Sequence, residues 1–290
     1  MNGILNILKP PGMTSHDVVS YVRRTLKTKK VGHTGTLDPG AAGVLPICLG
    51  QGTKIAQYLT DQRKEYICEL TLGNETDTYD KYGEFLHEDN SDFSHVTYEL
   101  LLDKLEAFKG EITQIPPKYS AIKINGKRAY DLARQGTDFV VPTRKVTIYN
   151  IEVLNFAPPL ISLKIQSSKG TYIRSICKDL GDMLGTYGYM SFLLRTQTGP
   201  FSIESAINLN DISIDSINNI LYPIEYGLEM NSVFIDNKFR DKVLNGNPVK
   251  VNLTAPVNEG EKVKAFLMPN TFIGIGHVKG NVFKVDKLMF

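Results

Sequence analysis

Residues Gly32–Leu59 read GHTGTLDPGAAGVLPICLGQGTKIAQYL, and the rest of the chain is organised around them. A glycine-rich loop carrying His33 and Asp38 runs into an apolar segment, Val44–Leu49, and then into a helix expected after Gly52, over residues 52–61. Glycines 32, 35, 40 and 43 permit backbone angles that other residues adopt only at a cost. Pro39 fixes its own φ and biases Asp38 towards extended backbone. A loop so constrained, holding one carboxylate just before a strand, suits a nucleophile or a base. It equally suits a tight turn in which Asp38 bonds its own backbone.

Composition narrows the setting. The 290 residues are 42% hydrophobic and 22% charged, as in an ordinary globular protein long enough for one large domain and a small one. No apolar run approaches the roughly 18–20 residues that span a bilayer, so no membrane association is expected. The start, MNGILNILKPPG, has neither a basic flank nor a small-residue cleavage site, so no signal peptide is expected. Cys48, Cys68 and Cys177 are scattered and odd in number, which suits a reducing cytoplasm without a disulfide framework.

The net charge of +2 hides an asymmetry. Residues 74–111 hold eleven acidic and three basic side chains, a balance of −8, so the remainder carries +10. Within that remainder, residues 118–145 hold seven basic and two acidic residues, and the last sixty hold nine and five. Separate basic patches on a modest total charge fit a polyanion bound along particular faces; they also fit plain solvated surfaces.

In chain order, Gly3–Leu8 reads as a buried strand stopped by Lys9-Pro10-Pro11-Gly12. Ser15 is the expected N-cap of a helix to about Leu26, with Val18, Val22 and Leu26 on one stripe. Glu65–Gly73 alternates as a strand, and Tyr98–Phe108 as an amphipathic helix. The acidic loop between them, GNETDTYDKYGE, lacks the spacing and terminal glutamate of a calcium loop. Residues 114–145, basic, tyrosine-bearing and bracketed by prolines, read as a flap over a nucleic acid. Two strands are expected at Val146–Phe156 and Leu160–Ser167. A helix capped by Thr171 then carries Ile173, Ile176, Cys177 and Leu180 as its core stripe. Arg174 in its first turn opposes the helix dipole, which calls for a specific acidic partner. Tyr189–Phe201 reads as a strand and residues 211–230 as a helical connection. From about Asn231, a short basic helix and several strands punctuated by Gly and Pro form a small β-rich module.

No G-x-x-x-x-G-K-[ST] phosphate loop, no metal-ligand spacing among the five histidines and three cysteines, and no G-x-S-x-G elbow is present. What remains is one loop carboxylate, one arginine without a local partner, several tyrosines and basic surfaces.

Those residues carry a resemblance. Gly32–Pro46 resembles the catalytic signature of the TruB family of tRNA pseudouridine synthases, and further segments match in the family's order. These are Lys9-Pro10-Pro11-Gly12-Met13-Thr14-Ser15, Gly73-x-x-Thr-Asp-Thr-x-Asp80 and Gln114-x-Pro-Pro-x-Tyr-Ser-Ala-x-Lys123. Gly170-Thr-Tyr-Ile-Arg174 and Arg195-Thr-x-x-Gly-Pro-Phe201 complete the series, which spans about residues 3–201. One departure is visible: Leu194 stands where the family often has an arginine, which bears on one phosphate contact.

The resemblance implies an α+β pseudouridine-synthase fold: a mixed, mainly antiparallel central sheet flanked by helices and loops, with a small β-rich PUA-like domain behind it. Residues 1–230 would be the catalytic domain, with a basic RNA-binding flap at about 116–145, and residues 231–290 the PUA-like RNA-binding domain. The implied reaction isomerises uridine 55 of the tRNA T-loop to pseudouridine after flipping the base, without a cofactor or a metal. By the same resemblance Asp38 is the nucleophile, Arg174 its partner, holding the carboxylate ionised by lowering its pKa, and Tyr66 the tyrosine that stacks on the base and moves a proton. His33 lies against the RNA, Tyr172 and Leu193 line the pocket, and Lys9 and Pro10 form a structural motif. The expected partner is the tRNA T-arm, bound by a cytoplasmic monomer with no obligate protein partner.

Overall fold

The computed structural model describes residues 1–88, 92–251 and 256–289. The chain opens with β1 (Gly3–Lys9), α1 (Ser15–Thr25), β2 (Val31–His33), β3 (Ala42–Leu49), α2 (Ala56–Thr60) and β4 (Lys64–Leu72). A small hairpin, β5 (Asn74–Thr76) and β6 (Phe85–Glu88), precedes α3 (Tyr98–Glu106) and β7 (Gly110–Gln114). A second hairpin, β8 (Lys123–Ile124) and β9 (Lys127–Arg128), leads into α4 (Ala129–Arg134). Then come β10 (Arg144–Ala157), β11 (Leu160–Ser167), α5 (Ile173–Met183), β12 (Gly188–Thr198), β13 (Phe201–Ser202) and α6 (Ile217–Ile220). The last part holds β14 (Ser232–Ile235), α7 (Arg240–Leu244), β15 (Val249–Lys250), β16 (Lys262–Leu267), β17 (Thr271–Lys279) and β18 (Val282–Leu288).

The central sheet runs β1-β3-β12-β4-β11-β10-β7, with β2 on β3 and β13 on β12. All its pairings are antiparallel except the short β3–β12 contact, where Ala42 and Gly43 face Leu194 and Arg195. That contact depends on Gly43, whose φ is +121°; a Cβ there would lie 2.2 Å from the Arg195 carbonyl oxygen. β4 alternates strictly, turning Tyr66, Cys68, Leu70 and Leu72 into the core. There they meet Ile173, Ile176, Cys177 and Leu180 of α5, the stripe expected from the sequence. α1 covers the other end of the sheet, with Val18, Val19 and Val22 on Leu5, Ile7 and Leu45.

Several local expectations change. The N-cap of α1 is Thr14, not Ser15: the Thr14 side chain accepts the Asp17 N–H, and the Asp17 carboxylate accepts the Thr14 N–H, a reciprocal capping box. Thr171 does not cap α5 either. Tyr172 occupies that position, and the Thr171 hydroxyl donates to the Ser168 carbonyl. Residues 52–61 begin as a tight 3-10 turn, Gly50–Ile55, before α2, and residues 211–230 break into short turns around α6.

The C-terminal β-rich part is a separate five-stranded sheet, β14-β16-β17-β18-β15, with its own core around Val233, Val263, Ile273 and Phe283. Its Ile275 and Met289 reach into a cluster with Ile4, Val44, Ile55 and Leu59, directly behind β3. No helix among the described residues is long and apolar enough to cross a membrane.

Candidate active site

Asp38 sits in the turn between β2 and β3, and its backbone neighbours are fixed from several directions. The Leu37 N–H donates to Ser15 Oγ at 2.9 Å, and that hydroxyl donates back to the Leu37 carbonyl at 3.2 Å; both residues are buried. The Gly12 N–H donates to the Pro39 carbonyl at 2.8 Å. Lys9, fully buried, donates through Nζ to the carbonyls of Pro39 (3.3 Å), Pro10 (2.8 Å) and Met13 (2.6 Å). Burial pushes the Lys9 ammonium down to about 8. The Lys9-Pro10 segment therefore serves structurally, tying the first turn after β1 to the loop that carries Asp38.

Arg174 arrives from the first turn of α5 and meets Asp38 side-on. Its Nε lies 2.9 Å from Asp38 Oδ2, and its Nη2 donates to Asp38 Oδ1 at 3.1 Å. The rest of the guanidinium is also engaged: Nη1 donates to the Thr78 carbonyl and Nη2 to the Tyr119 carbonyl, each at 3.2 Å. Asp80 Oδ2 stands 3.6 Å from Nη1. One buried fork thus gathers three segments distant in sequence, while 35% of the Asp38 side chain stays open.

Burial pushes the Asp38 carboxyl above its ordinary value, and the neighbouring Asp80 charge adds to the push; Arg174 and Lys9 pull against them. Arg174 pulls the pKa down, as expected, but the loss of water around the carboxylate outweighs it.

Tyr66 and Leu193 belong to the same buried cluster as Leu37 and Ala41, which lie on either side of Asp38 in the chain. Tyr172 is gripped through its backbone by Gln114, which accepts the Tyr172 N–H at 2.8 Å and donates to the Tyr172 carbonyl at 3.0 Å. Its half-buried ring lies 5.7 Å from the Arg144 guanidinium. His33, half-buried in β2, accepts the Gly35 N–H on Nδ1; burial, and then Arg195 and His16, push its pKa down, so the ring is neutral. Among the described residues no three His, Cys, Asp or Glu side chains converge as metal ligands.

Four further residues shape the site. Asp80 and Gln114 lie inside the quoted motifs and Ser15 ends another, so their presence was visible but their contacts were not. Arg195 stood in the sequence only as the first residue of the last motif; it is almost fully buried, donating to the Val44 carbonyl at 2.7 Å and the Gly35 carbonyl at 3.3 Å.

An oriented carboxylate with part of its surface open can act as a nucleophile or a base. The family described as "TruB family pseudouridylate synthase (N terminal domain)" matches residues 23–173, and "tRNA pseudouridylate synthase B C-terminal domain" matches residues 174–229. Proteins named tRNA pseudouridine synthase B are similar over the full length. That of Alkaliphilus oremlandii is 47% identical, covering 100% of this chain and 99% of its own. That of Clostridium tetani is 45% identical, covering 100% of both. Among solved structures, an H/ACA ribonucleoprotein bound to a substrate RNA containing 2′-deoxyuridine aligns with a TM-score of 0.76 at 26% identity, over 99% of this chain and 85% of that one. A Cbf5–Nop10–Gar1 complex aligns with a TM-score of 0.77 at 28% identity, with the same coverage.

Proposed function

This chain belongs to the TruB family of pseudouridylate synthases, enzymes of tRNA uridine isomerisation, and we propose that it converts uridine 55 of the T-loop to pseudouridine with Asp38 as the nucleophile. The observation that carries this reading is the Asp38–Arg174 fork, which orients a carboxylate and leaves one edge of it open.

The reaction breaks the N1–C1′ bond, turns the base and joins C5 to C1′; the C5 proton leaves and N1 gains one. Asp38 acts at C1′, at the C2′ proton or at C6, and ends the cycle ionised. Tyr66 stacks on the base, and its hydroxyl passes the C5 proton on to water. Tyr172 and Leu193 line the pocket, and His33 faces the RNA beside the displaced nucleotide. Extruding a stacked uridine costs a few kcal/mol, which backbone contacts from basic segments offset. Residues 116–145 close over the T-loop. Residues 231–290, a PUA-like domain beside a catalytic domain of residues 1–230, hold the rest of the tRNA. The enzyme works as a cytoplasmic monomer.

The test is carbodiimide-dependent primer extension on a tRNA transcript incubated with the purified protein. A new stop at uridine 55, absent with Asp38→Asn, supports the reading. A stop at another uridine, or an equal stop with both proteins, refutes it.

A further inference from the structure

Arg195 is a buried guanidinium, only 1% exposed, and among the described residues no carboxylate partners it. A guanidinium offers five N–H donors, and a buried one is costly unless those donors are used. Two go to the Gly35 and Val44 carbonyls, one at each side of the Asp38 loop. Another group near it is the Tyr66 hydroxyl. Arg195 and Tyr66 are directly opposed across the β12–β4 ladder, and Tyr66 is the group whose oxygen draws the guanidinium towards its charged form against burial.

Building on the role given above to Tyr66, we propose that Arg195 is a positioning residue for the isomerisation. It fixes both shoulders of the Asp38 loop and holds the Tyr66 oxygen, so that the Tyr66 O–H points to the base. While Tyr66 relays the C5 proton, the arriving proton lands on its oxygen as its own proton passes to water; the C5–H electron pair forms the C5=C6 bond as the C6=N1 π pair moves to N1, which takes up a proton. Negative charge gathering on that oxygen during the transfer meets a cation with no competing carboxylate.

The experiment is a double-mutant cycle read by single-turnover release of tritium from C5-labelled tRNA, with Arg195→Lys, Tyr66→Phe and the pair. Circular dichroism and tRNA affinity establish folding and binding. Lysine keeps the charge but cannot span the loop carbonyls and the hydroxyl together. The expected result is that Arg195→Lys slows release at least about tenfold more with Tyr66 present than in the Tyr66→Phe background, with tRNA affinity changed less than about threefold. Equal slowing in both backgrounds would reduce Arg195 to a loop clamp and overturn the proposal. If Arg195→Lys does not fold, Arg195→Gln takes its place in the same cycle under the same criterion. Full activity in Tyr66→Phe would overturn both this proposal and the Tyr66 assignment, leaving the Asp38 reading to its own test.

Discussion

Arg174 Nε lies 2.9 Å from Asp38 Oδ2 while Arg174 Nη2 lies 3.1 Å from Asp38 Oδ1, a two-point contact between residues 136 apart in the chain. It fixes the plane of the carboxylate as well as its place. A point charge at the same position would do only half of this. Arg174→Lys is therefore expected to lower the single-turnover rate by roughly 10²-fold, the cost of misplacing a reacting group by about an ångström. Its tRNA affinity should change less than its rate, because the Arg174 side chain is itself buried. A rate within a few-fold of wild type would show that charge alone suffices.

The pH dependence follows from the direction of the Asp38 shift. In the proposed reaction Asp38 acts as the ionised carboxylate, and burial raises its pKa above the ordinary value of 3.8. Activity should fall as pH drops through that raised value, so the acid limb of kcat/KM lies above pH 3.8. Asp80 adds a like charge beside the same guanidinium. Asp80→Asn removes that charge, leaving Asp38 as the carboxylate paired with Arg174, so the acid limb should move to lower pH. An unchanged limb, or one moved upward, would remove Asp80 from the electrostatics of the site.

Ser15 links stability to catalysis. Its hydroxyl pairs with both the N–H and the carbonyl of Leu37, next to Asp38, and no water reaches this spot. Ser15→Ala should cost about 1–3 kcal/mol, the penalty of an unpaired buried backbone group, and should slow turnover as the loop relaxes. Thermal unfolding and single-turnover kinetics measure the two effects. A stable variant with normal kinetics would mean that Lys9 and Arg195 alone hold the loop.

The C-terminal sheet is not a detachable grip. Ile275 and Met289 pack with Ile4, Val44, Ile55 and Leu59 against the back of β3. Removing residues 231–290 strips each of these contacts and bares apolar surface, at about 1.5–3 kcal/mol for each large side chain uncovered. The truncated chain should therefore unfold at a clearly lower temperature by calorimetry and lose activity even on a short T-arm hairpin. A truncated chain that melts like the full one and modifies the hairpin normally would show that the two sheets are energetically independent.

Which parts of this could be read from the chain depended on range. Asp38, Arg174 and the β4 alternation were legible because loop chemistry, an arginine against its helix dipole and a two-residue period are local signals. From the residues alone the pairing showed only as a missing acidic partner for Arg174; the family resemblance named Asp38 as that partner. Gln114 grips Tyr172 across 58 residues, and nothing local to either reveals it. Ser15 looked like a helix cap because capping chemistry is shared by neighbouring Thr14, whose box with Asp17 won the position and freed Ser15 to bind Leu37. The downward pull of Arg174 on Asp38 was legible because a charge partner is visible in sequence, whereas the burial that outweighs it is a property of the packed fold.

The central claim is that the Asp38 carboxylate performs the isomerisation. Single-turnover release of tritium from C5-labelled tRNA by wild type and by Asp38→Asn, at saturating enzyme and with tRNA binding measured in parallel, tests it most directly. The account expects release by the wild type and none above background by Asp38→Asn, with binding retained. Tritium release by Asp38→Asn at a rate near that of the wild type would contradict it.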